Sequence, residues 1–314
     1  MAKRVIFDTD IGWDCDDAGA LALIHSLCNM GEAELLACTA TYADKYVAGC
    51  IDAINNFYGR RVPIGICYDR PGDFSEKKTG YCGYAKAICE NFDNNYRTNR
   101  PEDSLKLIRK VLARAEDKSI TIIATGTLSC LAQLVLSEKD EISELSGKEL
   151  IERKIERTVV MGGRFKETWP MPIMENGVGE LIAEYNIMGD LEASKTVCDL
   201  WPGELIFSSY EIGNYCITLK NLKYNEKNPN PIALAYKLFG RTEGRESWDP
   251  TTALYAIRPD FGYYYLHPFG KISVSEDGIT TWENSEKFRH SYLMPRLNYK
   301  DIEKTIDSVI ESQC

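Results

Sequence analysis

The sequence predicts an α/β fold with a mostly parallel central sheet that is covered by helices on both faces. Short apolar segments alternate with segments of helical apolar spacing, which is typical of parallel sheets. The chain has 314 residues, 44% of them hydrophobic, so it can bury a substantial core. No Pro/Ser-rich linker, low-complexity block or repeat interrupts the chain. We therefore expect one domain over residues 1–314.

The first strand is predicted at Arg4–Phe7, where β-branched and aromatic residues follow one another. Further extended apolar segments lie near 34–41, 62–67, 119–124, 156–161 and 204–207. Helical spacing fills most of the gaps, at 17–28, 47–59, 102–115, 128–137, 190–199, 231–240 and 300–312. Parallel strands bring their carboxyl ends to one edge of the sheet. A site on this fold should therefore draw residues from several distant loops, each just after a strand.

Composition limits the partners that this protein can bind. The net charge is -10 and there is no basic patch, which argues against nucleic acids and anionic membranes. No apolar stretch is long enough to span a bilayer, and no apolar signal-peptide region precedes the first strand. The eleven cysteines match no zinc or disulfide spacing, so we expect reduced core residues. These features predict a cytoplasmic protein that acts on a small molecule.

Five aspartates lie close together directly after the first predicted strand: Asp8, Asp10, Asp14, Asp16 and Asp17. So many like charges raise each other's pKa values unless a cation lies among them. Helix capping explains one or two of these residues, but not five. An EF-hand loop is excluded because Gly19 occupies the position where that loop needs a Glu. The run therefore predicts a divalent-metal site.

Later segments supply further candidates. The Thr125 carbonyl could face a hard cation, although an ordinary strand-to-helix turn is the simpler interpretation of that position alone. Glu184 and Asn186 would point to one side of an extended segment, where a carboxylate and a carboxamide suit vicinal hydroxyls. Asp249 is compatible with a helix cap, with metal binding, or with both. Trp248 is either a core residue or an indole that stacks on a base.

These motifs together resemble the inosine–uridine-preferring nucleoside hydrolases. The opening signature of that family, Asp-x-Asp-x-Gly-x-Asp-Asp-Ala, is found at Asp8 to Ala18, with Asp14-Cys15 as an insertion. Thr125-Gly126, Met161-Gly162-Gly163, Ala183 to Asn186 and Asp249 follow in the family's order. The resemblance covers roughly the whole chain, and it implies a Rossmann-like nucleoside hydrolase fold.

The resemblance also implies a reaction, the calcium-dependent hydrolysis of a ribonucleoside to ribose and free base. The implied Ca²⁺ ligands are Asp10, Asp17, the Thr125 carbonyl and Asp249. Asp10 would take the proton from the metal-bound water, and the hydroxide would attack the anomeric carbon. The implied substrate contacts include Asp16, Glu184, Asn186 and Met161. Asp8 would hold the metal ligands in position without binding the ion itself, and Asp14 has no implied role.

Family members are commonly dimers or tetramers, so a homodimer or homotetramer is expected by analogy. The chain departs from the family around the base. Where pyrimidine- and inosine-cleaving members have a His that helps to protonate the leaving base, this chain has Trp248. Purine-preferring members stack the base between indoles, and Trp13 and Trp248 would do so here; such stacking can favour protonation of the base by solvent. Asp44 stands where the family has an Asn, and it is predicted as a substrate contact. His25 is expected in the core, and His290 is expected at the surface, with a position near the site as the alternative.

Two other functions stay open. A phosphatase of the haloacid dehalogenase type, which uses Mg²⁺, also begins with a strand and an Asp-x-Asp motif, as in Phe7 to Asp10, but a convincing downstream Lys and acid pair are missing. A non-catalytic ribose- or nucleoside-binding homologue would keep the metal site and lose activation of the leaving group. The stretch from Asp69 to Cys82 is predicted to be a mobile lid.

Overall fold

The structure, a computed structural model, describes residues 2–69, 83–165 and 182–313. Within these ranges the chain forms thirteen strands and twelve α-helices. The strands are β1 (Lys3–Thr9), β2 (Ala33–Ala40), β3 (Ile64–Ile66), β4 (Glu102–Asp103), β5 (Ile120–Ala124), β6 (Ile155–Met161), β7 (Glu204–Ser208), β8 (Ile217–Thr218), β9 (Arg245–Glu246), β10 (Tyr264–Leu266), β11 (Lys271–Val274), β12 (Thr280–Glu283) and β13 (Arg289–Pro295).

The helices alternate with these strands along most of the chain. They are α1 (Asp16–Asn29), α2 (Val47–Phe57), α3 (Tyr84–Asn91), α4 (Ser104–Arg114), α5 (Ser129–Leu136), α6 (Gly147–Lys154), α7 (Tyr185–Gly189), α8 (Leu191–Leu200), α9 (Tyr210–Asn214), α10 (Pro231–Leu238), α11 (Trp248–Ile257) and α12 (Tyr299–Glu311).

Nine strands form one sheet, in the order β10-β13-β7-β6-β5-β1-β2-β3-β4. Every pair in it is parallel except β10 with β13, which is antiparallel at one edge. The predicted α/β fold with a mostly parallel sheet is confirmed. Two small antiparallel pairs, β8 with β9 and β11 with β12, lie outside the main sheet.

The central strand β1 is buried on both faces of the sheet. Val5 and Phe7 belong to the hydrophobic cluster that includes α1, α2, α11 and α12, whereas Ile6 belongs to the cluster of α4, α5 and α8. Successive side chains of a strand point to opposite faces, so one apolar run supplies both clusters. This arrangement explains why the first strand has a continuous apolar pattern instead of an alternating one.

The register of β1 fixes where the aspartates lie. Asp8 pairs with Thr39 of β2 on one side and with Ala124 of β5 on the other. The backbone N–H of Thr125 donates to the Asp8 carbonyl at 2.7 Å. A Cβ at Gly126 would lie 2.7 Å from the backbone nitrogen of Asp10, so the close approach of these two loops requires glycine. The loops after β1 and β5 therefore meet at the carboxyl edge of the sheet.

The long periodic helices lie within two residues of their predicted ends, and the predicted strands do as well. The antiparallel edge and β13 are missing from the prediction because their residues mix apolar, charged and polar types without a clear period. The predicted lid, Asp69 to Cys82, falls almost entirely outside the described residues. Among the described helices, none has the length and apolar character needed to cross a membrane.

Candidate active site

A cavity of about 590 Å³ opens at the carboxyl edge of the sheet. Its lining comes from the loops after β1, β5, β6 and β7, together with α7 and the start of α11. This agrees with the expectation that distant loops build one site, and the volume suits a small molecule. All but one of the predicted site residues line it: Asp10, Trp13, Asp16, Asp17, Thr125, Met161, Glu184, Asn186, Trp248 and Asp249.

The exception is Asp44, which is not among the residues that line the cavity. Its half-buried carboxylate accepts a hydrogen bond from the backbone N–H of Tyr46 at 2.7 Å. The side chain therefore stabilises the turn that leads into α2.

Four aspartates form what we call the carboxylate floor of the cavity: Asp10, Asp16, Asp17 and Asp249. Oxygen atoms of Asp16, Asp17 and Asp249 all lie within 4.8 Å of one another, and the three side chains are buried. This cluster contains Asp16, whereas the resemblance implied Asp10. Asp10 lines the same cavity, and its charge raises the pKa values of both Asp17 and Asp249.

The floor is assembled by the starts of two helices. α1 begins with Asp16 and Asp17, and α11 carries Asp249 in its first turn, so all three face the positive ends of helices. The backbone N–H of Asp249 donates to Asp16 Oδ2 at 3.1 Å, which ties the two helices together. The Thr9 hydroxyl donates to Asp17 Oδ1, and the Thr125 hydroxyl donates to the same atom at 3.3 Å.

Burial raises the pKa values of all three clustered carboxyls well above the ordinary value for aspartate. Mutual repulsion adds to the effect of burial, most from Asp14 for Asp16, from Asp10 for Asp17, and from Asp16 for Asp249. Four carboxylates in such a space are stable in their charged form only beside a cation. Carboxylate oxygens and the nearby Thr125 carbonyl are the ligands that a hard divalent ion prefers, so these residues fit such an ion.

The inserted residue Asp14 has a clear structural role. Its carboxylate accepts hydrogen bonds from Arg245 Nε at 3.0 Å and from Arg245 Nη2 at 2.6 Å. The Tyr84 hydroxyl donates to the Asp14 carbonyl at 2.6 Å and accepts from the Gly12 N–H at 2.6 Å. Arg245 also donates to Glu246 at 2.5 Å. These bonds fix the aspartate loop against the segment that leads into α11.

Glu184 and Asn186 were expected on one side of an extended segment, and that expectation is wrong. Glu184 is the N-cap of the short helix α7, and its carboxylate accepts from the N–H groups of Asn186 and Ile187 at 3.0 and 3.2 Å. The unpaired N–H groups at a helix start favour this conformation over an extended one. Burial raises the pKa of Glu184, and these hydrogen bonds oppose that rise. The Asn186 amide donates to the Thr125 carbonyl at 2.9 Å.

The second part of the cavity lining is what we call the aromatic wall: Trp13, Tyr185, Tyr210 and Trp248. Trp13 and Tyr185 have ring centroids 5.9 Å apart, while Tyr210 stacks on Trp248 with centroids 5.4 Å apart. The indole N–H of Trp248 donates to the Tyr210 carbonyl at 2.9 Å. Trp248 therefore lines the cavity instead of filling the core, and its stacking on a base stays a prediction.

Two guanidinium groups accompany the wall. Arg164 Cζ lies 3.9 Å from the ring centroid of Tyr210, and Arg245 Cζ lies 4.8 Å from that of Trp248. Neither arginine and neither tyrosine of the wall was predicted as a site residue. Arg164 and Tyr210 follow the carboxyl ends of β6 and β7, so their position in the fold was the signal that could have found them. Nothing in the local sequence marks Arg245.

All three histidines of the chain pack away from the cavity. His25 Nε2 lies 2.8 Å from Asn55 Oδ1 in the core, and burial lowers the pKa of His25 to about 3. The expectation that His290 lies at the surface is wrong, because its strand β13 lies inside the sheet between β7 and β10. The Nδ1 atom of His290 accepts a hydrogen bond from the Ile272 N–H at 3.2 Å. The ring of His267 stacks on Tyr292 at 4.3 Å.

Two aspartates lie at helix starts, and one of them is a cap. Asp190 is the N-cap of α8 and accepts from the Ala193 N–H at 3.1 Å. Asp249 is not a cap, because α11 begins at Trp248 and its N-cap is Ser247. The Asp249 carboxylate therefore faces the cavity, with its own N–H bonded to Asp16.

Comparisons with known proteins agree with this geometry. The family model of the inosine-uridine preferring nucleoside hydrolases matches residues 5–293. No curated protein matches the sequence. Among solved structures, a plant nucleoside hydrolase is similar at 20% identity over 99% of both chains, with a TM-score of 0.68. An inosine-uridine preferring nucleoside hydrolase from Bacillus anthracis is similar at 17% identity over 99% of this chain and 98% of that chain, with a TM-score of 0.64.

A purine-preferring ribonucleoside hydrolase from Gardnerella vaginalis reaches a TM-score of 0.73 at 14% identity, over 99% of both chains. At these identities the structural matches establish the fold alone, and the family model, which covers most of the sequence, establishes the relationship. The chain belongs to the inosine-uridine preferring nucleoside hydrolase family.

Proposed function

We propose that this protein hydrolyses the N-glycosidic bond of a ribonucleoside to ribose and a free base, with Ca²⁺ as its cofactor. The observation that carries the proposal is the convergence of three buried carboxylates, Asp16, Asp17 and Asp249, beside Asp10 in the main cavity of a chain that belongs to this family. A cluster of this kind is costly to bury, so a ligand must compensate for its charge.

The metal ligands that we propose are Asp10, Asp17, the Thr125 carbonyl and Asp249, with Asp16 close enough to join them. When bound, the ion would offset the repulsion within the carboxylate floor and increase the acidity of a water molecule beside it. The choice of Ca²⁺ over Mg²⁺ rests on the number of oxygen donors, because Mg²⁺ is usually held by one or two carboxylates and several waters.

Different residues of the cavity would then have different roles in the reaction. Asp10 accepts the proton of the attacking water as its oxygen bonds to the anomeric carbon. Asp16, Glu184 and Asn186 bind the ribose hydroxyls, with Met161 packing beside them. The remaining negative charge of the floor stabilises the positive charge that develops on the ribosyl group as the base departs.

The aromatic wall would bind the base. Flat rings such as Trp13 and Trp248 favour stacked or edge-on contacts with a heterocycle and exclude water from it. Trp13 and Trp248 are both partly buried, and each has neighbouring groups: Tyr42 and Tyr185 for Trp13, Tyr210 and Arg245 for Trp248. Tyr185 is the most exposed ring of the wall, so we assign the larger share of base binding to Tyr185 and the adjacent Trp13.

The test is a reducing-sugar assay over purine, pyrimidine and nicotinamide ribosides. The wild-type protein should release ribose from at least one of them, EDTA should abolish the release, and Ca²⁺ should restore it. The substitution Asp10→Asn should lower the rate by about 10²-fold or more, as expected for loss of a general base. Asp301→Asn, which changes an exposed aspartate of α12, is the matched control and should behave like the wild type.

Release of ribose that is unaffected by both chelation and Asp10→Asn would refute this mechanism. The second candidate, a non-catalytic nucleoside-binding protein, is favoured by one observation, the absence of any histidine from the cavity. Calorimetry that detects nucleoside binding while no ribose appears over hours would support that candidate. The haloacid dehalogenase alternative has no support once the family is known.

Two expectations accompany the proposal. A homodimer or homotetramer is expected by analogy with the family, and light scattering would measure it. A cytoplasmic location is expected from the cysteines, because eight of the nine described ones are buried and none fits a metal-binding spacing.

A further inference from the structure

We propose that the preferred substrate is a ribonucleoside whose base carries a fixed positive charge on the ring system bonded to ribose, so that the base leaves as a neutral molecule. N-ribosyl pyridinium compounds and N7-alkylated purine nucleosides have this chemistry. The inference rests on the proposed function and names the substrate class of the same site. It is carried by two independent observations: the cavity contains no histidine that could donate a proton, and its described lining has an excess of negative charge.

The first observation concerns proton donors. A neutral base leaves as an anion unless a proton reaches it, and imidazole is the side chain best matched to that transfer near neutral pH. The three histidines of this chain are all accounted for elsewhere: His25 with Asn55, His290 against Ile272, and His267 on Tyr292. A cavity without an imidazole is suited to a base that needs no proton.

Other acidic groups of the described cavity do not replace the imidazole. Guanidinium groups do not give up a proton near neutral pH, and tyrosine hydroxyls hold theirs too tightly for efficient transfer. Burial raises the pKa of Glu184, but its carboxyl oxygens accept hydrogen bonds from three backbone N–H groups, those of Gly163, Asn186 and Ile187, so the carboxyl is directed at the backbone instead of at a base. The carboxylates of the floor must be ionised in order to hold a cation.

The second observation concerns charge. The described lining of the cavity contains six carboxyl groups, namely the carboxylate floor, Asp14 and Glu184, but only two guanidinium groups, Arg164 and Arg245. A divalent ion would still leave an excess of two negative charges. Arg245 is committed to Asp14 through a bidentate ion pair, so its charge is largely neutralised. An anionic leaving group would be repelled by this lining, whereas a cationic base would be attracted to it.

The aromatic wall fits the same substrate. A cation over the face of a tryptophan or tyrosine ring is attracted by the negative electron density of the ring. The wall already uses this interaction, because Arg164 lies over Tyr210 and Arg245 over Trp248. Trp13 and Tyr185, with centroids 5.9 Å apart at the exposed side of the cavity, are the rings that we assign to the charged base.

The reaction balances without an acid. The bond from the anomeric carbon to the base nitrogen breaks, both electrons go to the base, and its positive charge is cancelled. The oxygen of water bonds to the anomeric carbon, and the proton lost by that water passes through the Asp10 carboxylate to solvent. The products are ribose, the neutral base and one proton.

The experiment compares matched substrates with the wild-type protein in Ca²⁺. The value of kcat/KM is measured at about pH 6 for guanosine and 7-methylguanosine, which differ by one methyl group and one positive charge, and for nicotinamide riboside and uridine. The charged member of each pair should exceed the neutral one by about 10²-fold or more, which is the usual contribution of a general acid. The rate for nicotinamide riboside should also stay constant as the pH rises from about 6 to 8.

Inhibition separates charge recognition from the chemical lability of charged nucleosides. The 1-methylnicotinamide cation and neutral nicotinamide are compared as inhibitors of ribose release, and the cation should inhibit at a concentration about tenfold lower or less. Equal inhibition by the two compounds, or guanosine and uridine cleaved as fast as their charged counterparts, would overturn the inference and leave the proposed function intact. Failure to cleave any riboside in the panel would overturn the proposed function itself.

Discussion

The two parts of the cavity lining are built in opposite ways. The carboxylate floor is formed by Asp10 from the loop after β1, two residues at the start of α1 and one residue of α11, with a hydrogen bond from the Asp249 N–H to Asp16 joining the two helices. The aromatic wall is formed by single residues from four separate segments, and ring contacts hold it together. The floor is one chemical unit, whereas the wall is a set of independent surfaces.

The difference predicts how each part responds to change. Loss of one floor residue disturbs the charge balance of all the others, so it should affect equally all substrates whose bases carry the same charge. Loss of one ring of the wall should affect only those substrates whose base contacts that ring. The ion pair of Asp14 with Arg245 joins the two parts, since Arg245 lies over Trp248.

The largest effect is expected from the floor. The substitution Asp17→Asn removes a carboxylate that lies within 4.8 Å of two others, and it should lower kcat by about 10²–10³-fold, as for loss of a preorganised electrostatic group. The fall should be the same for all nucleosides whose bases carry the same charge. Calorimetry should show weaker Ca²⁺ binding, and Asp301→Asn should leave both quantities unchanged. Wild-type affinity for Ca²⁺ in Asp17→Asn would contradict the assignment.

The second effect concerns the link between floor and wall. A double-mutant cycle of Asp14→Asn and Arg245→Met, measured by urea unfolding, should give a coupling free energy of about 1–2 kcal/mol, because hydrogen bonds to charged groups are worth more than neutral ones. The exposed pair of Arg153 with Asp117 is the matched control. Its coupling should be smaller, because solvent screens an exposed ion pair. Equal coupling in the two cycles would show that the Arg245 pair has no special role.

A smaller effect is expected from the wall. The substitution Trp13→Ala should raise KM by about three- to tenfold, which corresponds to the loss of one aromatic contact of about 0.5–1.5 kcal/mol. The rise should differ between substrates with different bases, while the effect on kcat stays small. Tyr265→Ala, an exposed aromatic residue of β10 outside the cavity, is the control. An equal rise in KM for every base would place Trp13 against the ribose instead.

The smallest effect on catalysis is expected from His25, which belongs to neither part. The substitution His25→Gln should change kcat/KM less than twofold, as expected for a residue outside the site. Burial lowers the pKa of His25 from 6.5 to about 3, so the unfolded chain binds a proton that the folded protein does not. The stabilisation by neutral His25 is therefore complete above pH 6.5 and is lost as the pH falls towards 3.

Thermal unfolding measured from about pH 7 to pH 4 tests this sign. The melting temperature of the wild type should fall more steeply towards acid than that of His25→Gln. Parallel curves for the two proteins would show that His25 does not contribute to the acid sensitivity. The comparison is made at constant Ca²⁺ so that the carboxylate floor contributes equally to both curves.

The contrast between floor and wall also explains how much of the site the sequence could predict. The floor residues Asp10, Asp16 and Asp17 lie in one run of five aspartates whose charge predicts a metal site, and the family resemblance implied the roles of these three. Tyr210 and Arg245 have no such local signal, because each is an ordinary residue until the sheet brings its loop to the cavity. Residues of this second kind become visible only when the strand order is known.

The fold shows the same limit. The strands β1 and β5 are continuous apolar runs and were predicted, since burial on both faces leaves a strong signal. The strand β13 contains Arg289, His290 and Ser291, and its place between β7 and β10 follows from pairing over long distances along the chain. Glu184 was misjudged for a related reason, because its role as a helix cap depends on a short helix that has no amphipathic period of its own.

The most direct test of the account compares Asp17→Asn and Trp13→Ala over one panel of ribosides whose bases are neutral and differ in size and shape. The kcat/KM of each variant is divided by that of the wild type for every substrate. The ratios should be low and nearly constant across the panel for Asp17→Asn, and they should differ about tenfold between bases for Trp13→Ala. Ratios that vary with the base for Asp17→Asn, or that stay constant for Trp13→Ala, would contradict the division between a floor that carries the chemistry and a wall that selects the base.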